Sequence, residues 1–330
     1  MTTAKKQPRI TEQPTAGYAR TRSGIEFNLE ANLWAYQDGV HDLRIDFREL
    51  GGLSDSLVNS AKLVLKWYAE NRSSHHLLNL FRRLHHFGRF VSSGRNRLSM
   101  IEAEDLINYR GSLDRSNEWY LATLSGLLKK WHSLGYPGVS ESTILLLKQL
   151  RLKGNQKGVA VLTMDPEDGP FTPIEVDALQ AALNTAYAKG SVDTASFVLV
   201  WLCMLLGQRP LQYAALKVCD IKVEQGNQGR LTYTLMMPSA KRRGIEARER
   251  LVPRPLVEQF GVVLFEYVEQ VRRNFKELIP DVEEAPLFPS EASRKKTRGY
   301  EYHATAKNLG RLSPTGVMEP LRDRHIGASR

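Results

Sequence analysis

One stretch limits the possible folds more than any other. Phe197–Leu206 reads FVLVWLCMLL, an unbroken apolar run, and is stopped by Gly207-Gln208-Arg209-Pro210. The run is far shorter than the ~20 residues that cross a bilayer, and Asp193 and Arg209 flank it, so it predicts a helix in the middle of a folded core and no membrane partner. An arginine immediately beyond such a helix needs an explanation. Its charge is unfavourable beside apolar surface unless it is paired or faces an anion. A plainer role, a cation near the carbonyls of a helix C-terminus, is also open.

The 330 residues make room for about two domains. The 46 Lys and Arg outnumber the 36 Asp and Glu, a net charge of +10, which favours polyanionic partners and nucleic acid first. Cys203 and Cys219 form no Cys-x-x-Cys pair, which argues against a structural zinc site. Both lie in or beside apolar helical sequence and are expected to be buried, reduced thiols of a reducing compartment. Met1–Arg22 lacks the apolar centre of a signal peptide.

Composition shifts divide the chain. Residues 1–50 are expected to form a flexible basic arm, with polar sequence through residue 25. Residues 51–151 predict a small helical bundle. Ser54 and Asp55 cap a segment carrying Leu57, Ala61, Val64, Leu65 and Tyr68 at helical spacing. Leu77, Leu80, Phe81, Leu84 and Phe87 mark a second helix, and Met100, Ile101, Leu106 and Ile107 a third. Leu121, Leu124, Leu127, Leu128 and Trp131 mark a fourth, ended by Gly135-Tyr136-Pro137-Gly138. Arg82, Arg83, Lys129 and Lys130 are candidate DNA-phosphate contacts on its surface, against the plainer alternative of solvated helix faces. Residues 152–170 have linker composition. Thr172-Pro173-Ile174-Glu175 then reads as a capping box with proline at the first helical position, the opening of a domain over 171–330. Leu231, Tyr233 and Leu235 alternate with threonines as a strand, Pro238–Arg248 is a basic turn, Arg250-Leu251-Val252-Pro253 returns as its partner, and Pro255–Leu278 predicts a further helix.

The order of helical bundle, linker, helix-end arginine and lysine-bearing hairpin resembles the tyrosine recombinases, or phage integrases, over roughly residues 50–320. Arg209 stands at the family's first arginine, followed by the matching Leu216-x-x-x-Asp220. Gln212 stands where many members carry glutamate, and supplies hydrogen bonds but no charge. Gly169-Pro170-Phe171-Thr172-Pro173 is similar to the opening of the family's catalytic domain, Lys241 to its hairpin lysine, and Pro286-Leu287-Phe288-Pro289 to a Leu-Phe-Pro that commonly follows.

The resemblance implies a mainly α chain with a small β-hairpin or sheet: a SAM-like core-binding bundle, then the first part of an α+β catalytic domain. It implies site-specific recombination or integration for a mobile element, in the bacterial cytoplasm or nucleoid, without cofactor or metal. A tyrosine hydroxyl would attack a phosphodiester of double-stranded DNA. Arg209 would stabilise charge on the phosphate oxygens, Lys241 would protonate the leaving oxygen, and Arg242 and Arg243 would position phosphates. The family works as a homo-oligomer, usually a tetramer on DNA. Its His-x-x-Arg box and tyrosine have no match after the hairpin. His41-Asp42-Leu43-Arg44 and His86-Phe87-Gly88-Arg89 precede Arg209, His325 is followed by Ala328 at the third position, and Tyr300 and Tyr302 come before any such box. The expectation is therefore a truncated recombinase that leaves apolar surface uncovered near Phe197–Leu206 and either dissolves poorly or depends on a partner. The alternative is a non-catalytic DNA-binding or regulatory protein.

Overall fold

A computed structural model describes residues 17–93, 97–152, 154, 158–226, 230–239, 248–290, 300, 302–305 and 309. They are mainly helical, with three small sheets, and fall into two compact units that divide at Gly158 and Val159, Gly39–His41 being grouped with the second.

The first unit begins with strands. β1 (Tyr18–Arg20) pairs antiparallel with β2 (Glu26–Asn28), and β3 (Leu33–Asp38) pairs with β4 (His41–Asp46). The expected flexible arm over 1–50 is thus corrected for residues 17–50; the rest of it lies outside the described residues. The physical reason is aromatic burial. Phe27 packs on Trp34, Trp34 on Phe47 and Phe47 on Phe81, with ring centroids 4.7, 4.8 and 5.6 Å apart. These strands share one apolar core with the helices that follow.

Among the described residues five α-helices follow: α1 (Asp55–Asn71), α2 (Ser74–Ser92), α3 (Ala103–Ser112), α4 (Trp119–Ser133) and α5 (Glu141–Gln149). Ser54 caps α1 by accepting the Leu57 N–H at 3.3 Å. The apolar stripes chosen from periodicity on α1, α2 and α4 are buried, whereas Met100 and Ile107 are exposed. Beyond α4 the Pro137 carbonyl accepts the Trp131 indole N–H at 3.0 Å. Gly138, at φ +124°, leaves no room for a side chain: a Cβ there would meet a Leu57 methyl at 2.3 Å.

The second unit contains α6 (Val159–Leu162), α7 (Pro173–Ala188), α8 (Thr194–Leu206), the short α9 (Pro210–Ala214) and α10 (Glu258–Phe275). Its antiparallel sheet has the order β5 (Ile221–Gln225), β6 (Leu231–Pro238), β7 (Leu251–Leu256), with α10 packed on β6. At Gly261 of α10 a Cβ would stand 2.3 Å from the Tyr233 ring, so helix and sheet meet where glycine permits. The capping box forms: the Thr172 N–H donates to Glu175 Oε2 at 2.7 Å, and the Glu175 N–H donates back to the threonine hydroxyl at 3.4 Å.

Three expectations are corrected in this unit. Pro255 belongs to β7, because the alternation continues to Leu256, and α10 starts only at Glu258. α8 is covered on one side only: Phe197, Val198, Leu199 and Leu202 are buried, while Leu205 is exposed. Cys203 is on the exposed side of α8 and Cys219 is half-buried, so the thiols are free but not enclosed. No described helix is long and apolar enough to cross a membrane.

Candidate phosphate-binding site

Arg209 is held at the junction of α8 and α9. Asp193 caps α8 by accepting the Ser196 N–H at 2.9 Å, and Gly207 ends it in the left-handed conformation, its N–H donating to the Cys203 carbonyl at 3.0 Å. The chain then turns through Gln208 and Arg209 into Pro210, the first residue of α9.

Three side chains lock this turn. The Tyr213 hydroxyl accepts the Gln208 N–H at 2.9 Å and donates to the Leu202 carbonyl at 3.0 Å, tying α9 back to α8. Burial pushes the Tyr213 phenol up to about 12, so it stays a neutral donor. Gln208 donates to the Leu206 carbonyl at 2.7 Å. Buried Gln212 accepts the Arg209 backbone N–H at 3.3 Å and donates its amide to Gln208 Oε1 at 3.1 Å and to the Pro238 carbonyl of β6 at 2.6 Å. The Gln212 contact to Arg209 therefore goes to its main chain. The exposed Arg209 side chain enters no ion pair among the described residues.

A cavity of ≈ 360 Å³ opens here, lined by Arg209, Gln208, Gln212, Ser239, Val252 and Arg254, together with Gly207, Met237 and Pro238. Two arginines on the wall of one polar cavity, with a serine and two glutamines, form a donor-rich setting for an anion. Sequence reasoning missed Arg254. The signal was present: Val252, Arg254 and Leu256 alternate with Pro253 and Pro255, and proline belongs on an edge strand.

Asp220, the end of the Leu-x-x-x-Asp pattern, is not in this cavity. It is buried, accepts the Lys217 N–H at 2.8 Å, and takes both terminal nitrogens of Arg248 at 2.6 and 2.8 Å. Burial works against the Arg248 charge, but the Asp220 hydrogen bonds and charge outweigh it and hold the guanidinium above its ordinary value. Lys241, Arg242 and Arg243 lie outside the described residues.

The four basic residues chosen on the bundle divide into two kinds. Arg82 on α2 and Lys129 on α4 are exposed. Arg83 is half-buried with its guanidinium 3.6 Å from the Tyr120 ring centre and 4.5 Å from that of Trp119. Lys130 Nζ stands 3.8 Å from the Trp67 ring centre. Tyr300 and Tyr302 pack on His303 and Phe275. Among the described residues, no group of three His, Cys, Asp or Glu could hold a metal ion.

Compared with known families and curated proteins, the chain matches no family model and no curated sequence.

Proposed function

We propose that this chain is a double-stranded DNA-binding protein of the tyrosine-recombinase type, with the Arg209 cavity seating a backbone phosphodiester. One observation carries this function: Arg209, whose sequence setting resembles the family's first arginine, has no carboxylate partner among the described residues and lines a polar cavity with a second arginine. The +10 net charge supports the same class of partner. On this proposal the first unit is the SAM-like core-binding bundle, with Arg82 and Lys129 as outer phosphate contacts. The second unit carries the catalytic-domain elements, with Lys241 as the proton donor to the leaving oxygen and Arg242 and Arg243 beside it. The setting is site-specific recombination in a bacterial cytoplasm or nucleoid, by a homo-oligomer on DNA.

A second reading is favoured by Gln212. It supports the Arg209 main chain rather than the guanidinium, so the arginine is suited to gripping a phosphate without the fixed alignment that transition-state stabilisation requires. A non-catalytic DNA-binding protein follows from that arrangement.

The test is affinity for a labelled duplex across a salt series. Wild type should lose affinity steeply with salt through counterion release, and Arg209→Ala should reduce the log–log slope by about one and weaken binding to all sequences alike. Absence of duplex binding by wild type would sink the proposal. A nicked suicide duplex separates the two readings. A detergent-stable adduct that Arg209→Ala abolishes supports strand cleavage, and binding without an adduct supports the non-catalytic protein.

A further inference from the structure

Arg254 stands in an apolar row of the sheet and also lines the cavity that holds Arg209. In the β6–β7 ladder it lies opposite Leu235, with Met237 opposite Val252 and Tyr233 opposite Leu256. Opposed residues share a face of the sheet, and alternate residues return to it. Arg254 therefore stands between Val252 and Leu256 on the side where Leu235 and Met237 are buried, while Pro253 and Pro255 point to the exposed side. Arg254 is half-buried, and a guanidinium in an apolar row is better accommodated with a counter-charge or an anionic ligand beside it. The ion pairs among the second unit's described residues use Lys217, Arg248 and Arg272, not Arg254. The Arg254 Nε is buried without a hydrogen-bond partner among the described residues. Yet the residue lines the same cavity as Arg209.

We infer that Arg254 is a second phosphate-gripping residue, and that it and Arg209 clamp one backbone phosphodiester from β7 and from the α8–α9 junction. The inference rests on the cavity being the DNA-backbone site. A phosphodiester has two non-bridging oxygens and one negative charge, and two guanidinium forks can each take one oxygen. With Nε enclosed, Arg254 presents its two terminal nitrogens. Its strand places it rigidly, whereas Arg209 is exposed and reaches from a turn, so Arg254 sets where the phosphate sits.

Arginine modification of the wild-type chain by phenylglyoxal, read by peptide mass spectrometry with and without a 30-base-pair duplex, tests the clamp without altering the fold. Both Arg209 and Arg254 should react in the free chain, and both should be protected several-fold by duplex at low salt. Protection of Arg209 with no change at Arg254 overturns the clamp and leaves the DNA site standing. An Arg254 that is inert without DNA also overturns it, because its terminal nitrogens are then not open to a ligand. Duplex binding that protects neither residue overturns both the clamp and the assignment of the cavity. In parallel, Arg254→Gln should lower the salt slope by about one, and Arg254→Lys should restore the slope while leaving affinity several-fold weaker, since lysine keeps the charge and loses the fork. Equal affinity of Arg254→Gln and wild type would refute the role.

Discussion

Arg248 and Arg254 are six residues apart in the chain, and the two regions that receive them treat the same side chain in opposite ways. Arg248 closes on Asp220 through two hydrogen bonds, and Asp220 also accepts the Lys217 N–H, so that corner is complete within the chain. Arg254 enters an apolar row, pairs with no carboxylate among the described residues, and shares a cavity with Arg209. The first arrangement is a structural lock. The second is a set of donors held in place by other residues and left for a ligand. The contrast teaches that an arginine's role in this domain is decided by whether a carboxylate of the same unit reaches it.

The largest expected effect lies in the closed corner. Asp220→Ala strands the Arg248 guanidinium and should destabilise the protein by about 3 kcal/mol, since removing one partner of a buried pair leaves an uncompensated charge. Arg209→Ala should leave stability within about 0.5 kcal/mol. Urea midpoints for both variants check this. Similar losses for the two would erase the distinction between lock and ligand site.

Gln212→Ala comes next. It leaves the Pro238 carbonyl and the Arg209 N–H without their partner, and a stability loss of about 1–3 kcal/mol is expected with a weaker duplex affinity. A variant as stable as wild type would show that Tyr213 and Gln208 suffice to fix the turn. Arg83→Ala sharpens the comparison from the other unit, where aromatic faces replace the carboxylate. Loss of the stack on Tyr120 and Trp119 should lower stability by about 1 kcal/mol. A salt-slope change larger than that of Arg209→Ala would make Arg83 a DNA contact first.

The smallest effect is in pH. His76 and His86 are exposed, yet partial desolvation against neighbouring side chains, then the charges of Arg83, Arg89 and His85, hold the His86 imidazole below its ordinary value, and His76 is lowered in the same direction by partial desolvation, Arg72 and His75. Below about pH 6.5 the unfolded chain takes up these protons before the folded one. Stability should therefore fall as pH drops from 7 towards 5.5, and His86→Gln should flatten part of that decline in thermal melts. A melting temperature that rises on acidification through this window would reverse the sign assigned to these histidines.

Much of the framework was legible because its causes are local. The stripe on α4, the Thr172–Glu175 box and the Gly207 stop each act within about one helical turn, so they appear as spacing in the sequence. The strands of residues 17–50 were missed although Trp34 and Tyr36, and Leu43 and Ile45, alternate as a half-buried strand does. The polar, basic start of the chain obscured that period-two pattern. Arg209 was singled out because an arginine at the end of an apolar run is conspicuous. Arg254 was hidden inside an alternation that stopped one pair too soon.

Sequence alone determined the caps of α1 and α7, the stops of α4 and α8, the apolar face of β6, and an excess of positive charge. Tertiary structure decided which positive charges are satisfied. Arg248 meets Asp220, 28 residues away, and Lys217 meets Glu284, 67 residues away. Such pairings follow from packing distant segments together, and no short spacing encodes them. The same packing brings the α8–α9 turn to the β6–β7 edge, and so places Arg209 and Arg254 on one cavity.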